Sequence, residues 1–192
     1  MSIVHGLQFN IKIRLVRLLG LWLLSAFSPI VSANSDRFRH YEFGRTDAKY
    51  AVNIELNKLD KLYIRHGAAI DGFIYTYRSD GQNYQIGGDG GALSTIDLKG
   101  LTKVVVHIGN FYWASAEKAT IVKIEFHYRN GEQHTFGSTQ HATSVIKNEH
   151  LVRPELLSLS FWSDGWLING VRFKYPRSDK ASIKFHRSVD RL

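Results

Sequence analysis

Near the C-terminus, Asp164, Gly165, Trp166, Leu167, Ile168 and Asn169 follow one another between two alternating runs. These residue types can hold a small polyhydroxylated ligand. Glycine lets another molecule approach the backbone and leaves main-chain N–H groups uncovered, while an asparagine amide offers a donor and an acceptor at one point. Trp162 and Trp166 flank the Asp-Gly pair, and either ring is wide enough to cover the C–H face of a sugar whose hydroxyls meet polar groups at the rim. A second reading fits the same residues. Asp-Gly between alternating apolar positions is a strong hairpin signal, so the stretch also reads as a plain turn with its tryptophans packed on a sheet.

The elements that must position this stretch are strands. Residues 59–66 and 70–77 read as two strands joined by Gly67-Ala68-Ala69, and in the second Phe73, Tyr75 and Tyr77 alternate with Gly72, Ile74 and Thr76. Shorter runs follow at 82–86, 92–98 and 101–108. Residues 120–128 form the clearest strand, with Val122, Ile124, Phe126 and Tyr128 on one face and Lys123, Glu125, His127 and Arg129 on the other. Asn130-Gly131 then predicts a tight turn into 133–136. Residues 157–162 alternate again, and 171–175 end the pattern at Pro176. Residues 34–50 and 137–153 show no clear period and read as polar connections. Residues 109–119, with Phe111, Tyr112 and Trp113, read as an aromatic excursion, either a ligand platform or a lid. No amphipathic helical pattern follows residue 33, so the chain is expected to be all-β.

The cluster Gly87-Gly88-Asp89-Gly90-Gly91 lacks the Lys-Ser/Thr ending of a phosphate-binding loop, and no helix pattern follows it. It reads instead as a sharp crossing from one sheet to another.

The N-terminal residues Lys12, Arg14 and Arg17 precede an uncharged apolar run that ends in Val31-Ser32-Ala33. That is the layout of a secretory signal, with cleavage expected after Ala33 and a retained membrane anchor as the alternative. The uncharged run is interrupted by Pro29 and falls short of the roughly 18 apolar residues of a spanning helix. The expected organisation is a signal peptide at 1–33, one domain at 34–176 and a basic tail at 177–192. No transmembrane span is expected after processing, and the product would be secreted, periplasmic or extracellular. The chain has no cysteine, which removes thiol chemistry and disulfide staples. Its formal net charge of +8 suits anionic partners. Export argues against nucleic acid among them.

Three segments resemble one another: 75–81, 126–131 and 159–165 are each an aromatic alternating strand that ends in Asp-Gly or Asn-Gly. Three such units suggest pseudo-threefold architecture, one hairpin to a sheet. Together with residues 64–77, the 87–91 cluster, 120–126 and 157–175, they give a chain that resembles the jacalin-related lectins over roughly Tyr41 to Tyr175. The resemblance implies a β-prism of three four-stranded antiparallel sheets that binds carbohydrate at one end; no cofactor and no metal are expected. It also implies a binding loop of the form Gly-x-x-x-Asp in the last hairpin. Here that loop is Gly165, Trp166, Leu167, Ile168 and Asn169, with Trp166 and Leu167 contributing main chain and Asn169 replacing the carboxylate. Hydrogen bonds to charged groups are worth about 1.5 to 3 kcal/mol against about 1 for neutral pairs, so altered sugar specificity is expected. The glycine-rich first loop of the family falls at Gly44, and a third contributing loop at Asn130 and Glu132.

The leading expectation is therefore a secreted, non-enzymatic binder of mannose- or glucose-type glycans, with a homo-oligomer compatible with the sequence. Two alternatives stay open: an anionic-polysaccharide binder using Arg45, Arg65, Arg78, Arg129 and the tail, or a protein-interaction module of an exported assembly. The histidines fit no metalloprotease pattern and no Gly-x-Ser-x-Gly is present, so enzymatic function is not expected. Glu125 and His127 share a strand face, which a solvated sheet surface explains.

Overall fold

A computed structural model describes residues 37–111 and 119–177. The expected leader, residues 112–118 of the aromatic excursion and the tail beyond residue 177 lie outside the described residues. Twelve strands follow one another: β1 (Phe38–Gly44), β2 (Tyr50–Glu55), β3 (Leu59–His66), β4 (Ile70–Tyr77), β5 (Asn83–Gly87), β6 (Ala92–Ile96), β7 (Leu101–Phe111), β8 (Ala119–Tyr128), β9 (Gln133–Gly137), β10 (Ala142–Leu151), β11 (Ser158–Ser163) and β12 (Ile168–Pro176). They form three four-stranded sheets, here A (β1-β12-β11-β2), B (β5-β4-β3-β6) and C (β10-β7-β8-β9). All neighbours pair antiparallel. The all-β prism expected from the sequence is the observed fold.

The core comes from one face of each sheet. Phe161, Val171 and Phe173 from A meet Leu62, Ile64 and Phe73 from B and Val104, Ile124 and Phe126 from C. Phe73 and Phe161 stack at 3.9 Å between ring centroids and so tie A to B. Each sheet has at its centre a hairpin, β3–β4, β7–β8 or β11–β12, with one further strand on either side.

The threefold relation differs in detail from the one expected. The turns after Tyr77 and Tyr128 join a central strand to an edge strand, whereas the turn after Ser163 joins two central strands. Its true counterparts are therefore residues 67–69 and the β7–β8 connection. Local turn chemistry marks both kinds of hairpin alike, and sheet order separates them. Likewise, residues 87–91 do not cross between sheets; they link β5 to β6, the two edges of sheet B.

Three strands lie where none was expected: β1 and β10 fall in the two stretches read as polar connections, and β2 in residues to which no element was assigned. β1 has no buried residue, β2 buries only Ile54, and β10 buries only His150. All are edge strands, and an edge strand with both faces near solvent loses the apolar alternation that marks a strand in sequence. β10 also carries Ser144 at φ 54° beside a register shift.

Candidate functional site

One structural device occurs three times. On the second strand of each central hairpin, one residue is the extra member of a β-bulge. His66 faces Ile70 while Arg65 faces Gly72, which leaves Asp71 unpaired. Ile108 faces Ile121 while His107 faces Lys123, leaving Val122, and Ser163 faces Ile168 while Trp162 faces Gly170, leaving Asn169. A bulge re-aims its extra side chain out of the normal alternation. Each bulge carbonyl then accepts a hydrogen bond from the loop that leaves the neighbouring edge strand: Asp71 from Gly88 N–H at 2.8 Å, Val122 from Ser138 at 3.0 Å, Asn169 from Arg45 at 2.8 Å. Just before each donor stands a glycine of positive φ, Gly87, Gly137 or Gly44. A Cβ on any of the three would lie 2.2 Å from the bulge carbonyl oxygen, so only glycine fits.

These contacts place five connections of the described residues at one end of the prism, with Thr120 Oγ1 donating to Ile168 O at 2.7 Å as a further tie between sheets C and A. At this loop end the structure brings together Gly44, Asp164, Gly165, Trp166, Leu167 and Asn169. Asn130 and Glu132 do not join them. Their turn follows Tyr128, eight residues along β8 from Thr120, and at about 3.3 Å per residue it lies about 26 Å away. There Arg129 N–H donates to Gly100 O. The expected third contributing loop is thus on the far end of the molecule.

The β11–β12 loop is folded back on itself. Asp164 Oδ1 accepts from the N–H of Trp166 at 2.9 Å and of Leu167 at 3.0 Å. Ser163 Oγ accepts from Gly165 N–H and donates to Leu167 O. The main-chain donors expected to face a ligand are therefore already paired, because a carboxylate two and three residues upstream caps them. Asn169 is only 1% exposed, and neither its Oδ1 nor its Nδ2 has a hydrogen-bond partner among the described residues. Leu167 is buried with Ala69, Phe111 and Val122. Trp162 is also buried, with the Arg172 guanidinium 4.7 Å from its ring, so it offers no stacking face. Trp166 is the reverse, at 83% exposure the most open large apolar side chain among the described residues.

Beside it, sheet B presents a loop pair with different chemistry. The spacing that singles out Gly165 and Asn169 recurs at Gly67 and Asp71, a signal readable in the sequence, and the glycine cluster 87–91 lies next to it. A Cβ on Gly91 would stand 2.7 Å from Asp71 Oδ2, and one on Gly90 3.0 Å from Oδ1. The carboxylate therefore lies against bare backbone. Burial raises its pKa above the ordinary aspartate value, with His66 and Arg65 opposing. The loop is held by Arg65, which donates to Asp89 O at 3.0 Å, and the two loop pairs touch where Gly88 N–H donates to Trp166 O at 3.2 Å.

The basic residues expected to form one surface are divided. Arg45 pairs with Asp47 at the loop end, while Arg78 bonds Asn57 O at the far end, where Arg129 also lies. On the outer face of sheet C, Glu125 is bound by Lys123 at 2.6 Å and His107 at 3.0 Å. Burial works to raise the Glu125 pKa, yet the hydrogen bonds and charges of Lys123 and His107 outweigh it and hold the value at about 2. Glu125 is thus the centre of an ion network on a sheet face.

Three sheets of this order with one loop-bearing end define a β-prism. The family model for beta-prism lectins matches residues 41–174, and the chain belongs to that family. Among curated proteins it is similar to a hemolysin of Vibrio cholerae, 32% identical over 115 residues, which are 59% of this chain and 14% of the hemolysin. The chain thus corresponds to a small part of that relative. Among solved structures it is similar to the second β-prism domain of RbmC from V. cholerae bound to N-acetylglucosaminyl-β-1,2-mannose. That match has a TM-score of 0.58 and 26% identity, and covers 69% of this chain and 96% of that one. A mannose-specific jacalin-related lectin from Morus nigra shares the fold at a TM-score of 0.56 and 15% identity, covering 73% and 95% of the two chains.

Proposed function

We propose that this chain is a non-catalytic glycan-binding module of an exported protein, and that it recognises mannose-containing, electrically neutral glycans at the loop end of the prism. The observation that carries this reading is Trp166, 83% exposed at the tip of the last hairpin and joined through its carbonyl to the glycine loop of sheet B. An exposed indole in that position, its backbone seated against Gly88 of the glycine loop, suits the apolar face of a pyranose. The disaccharide held by the RbmC domain supports the choice of sugar. The leader-like N-terminus supports export.

A glycan array probed with the full chain tests the reading. Hits are expected among mannose-containing glycans, and Trp166→Ala is expected to weaken them. An array without neutral-glycan hits contradicts the proposal.

A further inference from the structure

We propose that strand β10 is a self-association surface: two copies of this chain pair β10 with β10, antiparallel and centred on Asn148, so that their C sheets join into one continuous sheet. The inference goes beyond the glycan-binding reading and does not depend on it.

β10 is an edge of sheet C, bonded to β7 on one side and to no strand on the other among the described residues. It is also the longest edge strand of the three sheets. An open edge of that length is a template for another strand. Its bulge lies between Thr143 and Ile146, so Ile146 to Leu151 run straight, each opposite one residue of β7. Just beyond them Val152 N–H donates to Thr102 O at 2.8 Å. Backbone groups alternate in direction along an antiparallel strand, so Asn148 and His150 also turn theirs toward β7, while Lys147 and Glu149 turn theirs to the open side. The neighbouring edge of sheet A, β1, forms no ladder with β10; its Tyr41 and Phe43 rings pack on His150, which points to the core.

The side chains read alike in both directions from Asn148. Lys147 and Glu149 flank it with opposite charges, and Val145 and Leu151 stand further out on either side. Leu151 at 72% and Ile146 at 63% exposure are, after Trp166, the most open large apolar side chains among the described residues. About a twofold axis at Asn148, Lys147 of one copy stands opposite Glu149 of the other, twice, and Val145 stands opposite Leu151. Two charges of one sign at these places would repel a second copy, whereas opposite signs select it. Within one chain Lys147 already reaches Glu149 at 2.9 Å, and pairing extends that row with the second copy's charges in alternating sign. The outward N–H and C=O groups of Lys147 and Glu149 then close hydrogen bonds on both sides of the axis. β10 starts beside Phe111 at the loop end and finishes at the far end, so antiparallel pairing points the two loop ends in opposite directions. Such a dimer bridges two partners rather than gripping one twice.

Sedimentation equilibrium of the full chain tests the surface. The unaltered chain is expected to form a dimer at micromolar concentration. Lys147→Glu and Glu149→Lys each set like charges opposite one another and are expected to weaken the dimer about tenfold or more. The double exchange, Lys147→Glu with Glu149→Lys, is expected to return it to within about threefold of wild type. The chain has no cysteine, so an introduced one reports a single contact. Asn148→Cys meets its own copy within disulfide reach and is expected to cross-link under mild oxidation, whereas Thr95→Cys on sheet B is not. A monomer at every concentration, a dimer indifferent to both single reversals, a double exchange that stays dissociated, or a folded Asn148→Cys chain that does not cross-link overturns the proposal.

Discussion

At Asp71 in sheet B and Asn169 in sheet A the backbone is the same: a bulge residue on a central strand, its carbonyl bonded to the first residue of a neighbouring loop, and a positive-φ glycine before that residue. The surroundings diverge. In sheet A the loop caps its own N–H groups with Asp164 and buries the amide of Asn169. In sheet B the loop is built from glycines, and the Asp71 carboxylate lies against their bare backbone. The repeated frame fixes where a side chain can be offered. Whether it meets a ligand depends on which residue stands there and on whether the chain has already used the nearby donors.

The largest effects should come from the frame itself. Gly87→Ala and Gly44→Ala each force a Cβ onto a carbonyl at positive φ, and each should cost about 3 kcal/mol or more by urea unfolding. Gly81→Ala, at φ 64° but in open space, should cost only about 1 kcal/mol. If Gly44 and Gly87 differ widely, the two frames are not equivalent.

Exchanging the bulge residues sharpens the contrast next. Asn169→Asp places an unpartnered charge in a sealed position and should destabilise the fold by about 2 kcal/mol at neutral pH. The loss should shrink in acid, where that carboxyl takes up a proton. At Asp71 the sign is reversed. Its folded-state pKa is raised, chiefly by burial, so folding favours the protonated form; that contribution is present in acid and lost as pH rises through the folded value. Asp71→Asn should therefore gain a little stability at neutral pH and none in acid. A neutral-pH stability loss for Asp71→Asn would show that the carboxylate supports the fold.

Asp164→Ala should cost about 1 kcal/mol, because two loop N–H groups lose their acceptor. Trp166→Ala should change stability by less than about 0.5 kcal/mol, since the side chain lies in solvent, and should show its effect in glycan affinity alone.

Away from the loop end, acid should act through His150. It is buried against Tyr175, with a 2.7 Å hydrogen bond, and burial aided by the Arg153 charge lowers its pKa from 6.5 to about 4. The unfolded chain takes up that proton first. Stability should thus be complete above about pH 6.5 and fall as the pH drops toward 4, and His150→Phe should flatten the slope in urea titrations.

The sequence reveals most of this where a strand buries one face and exposes the other. β3 and β4 begin and end where alternation places them, and β8 differs by one residue. Edge strands β1, β2 and β10 escape because their neighbours cover too little of them to impose a pattern. The site is harder to read for a related reason. A bulge breaks the period of two at the very residue it presents, so Asp71, Val122 and Asn169 look like interruptions until strand registers are known. The Asp-Gly and Asn-Gly turns are conspicuous in sequence because their chemistry is local. That chemistry says nothing of which end of the prism a turn occupies, and it drew Asn130 and Glu132 into a site some 26 Å away.

Glycan binding at the loop end of the prism is open to a direct test. An amide chemical-shift titration of the ¹⁵N-labelled full chain with N-acetylglucosaminyl-β-1,2-mannose tests it most directly. The largest shifts are expected at Trp166 and at Gly87 through Gly91, and none at Asn130 or Glu132. Shifts centred on Asn130 and Glu132 with the loop end silent would contradict glycan binding there.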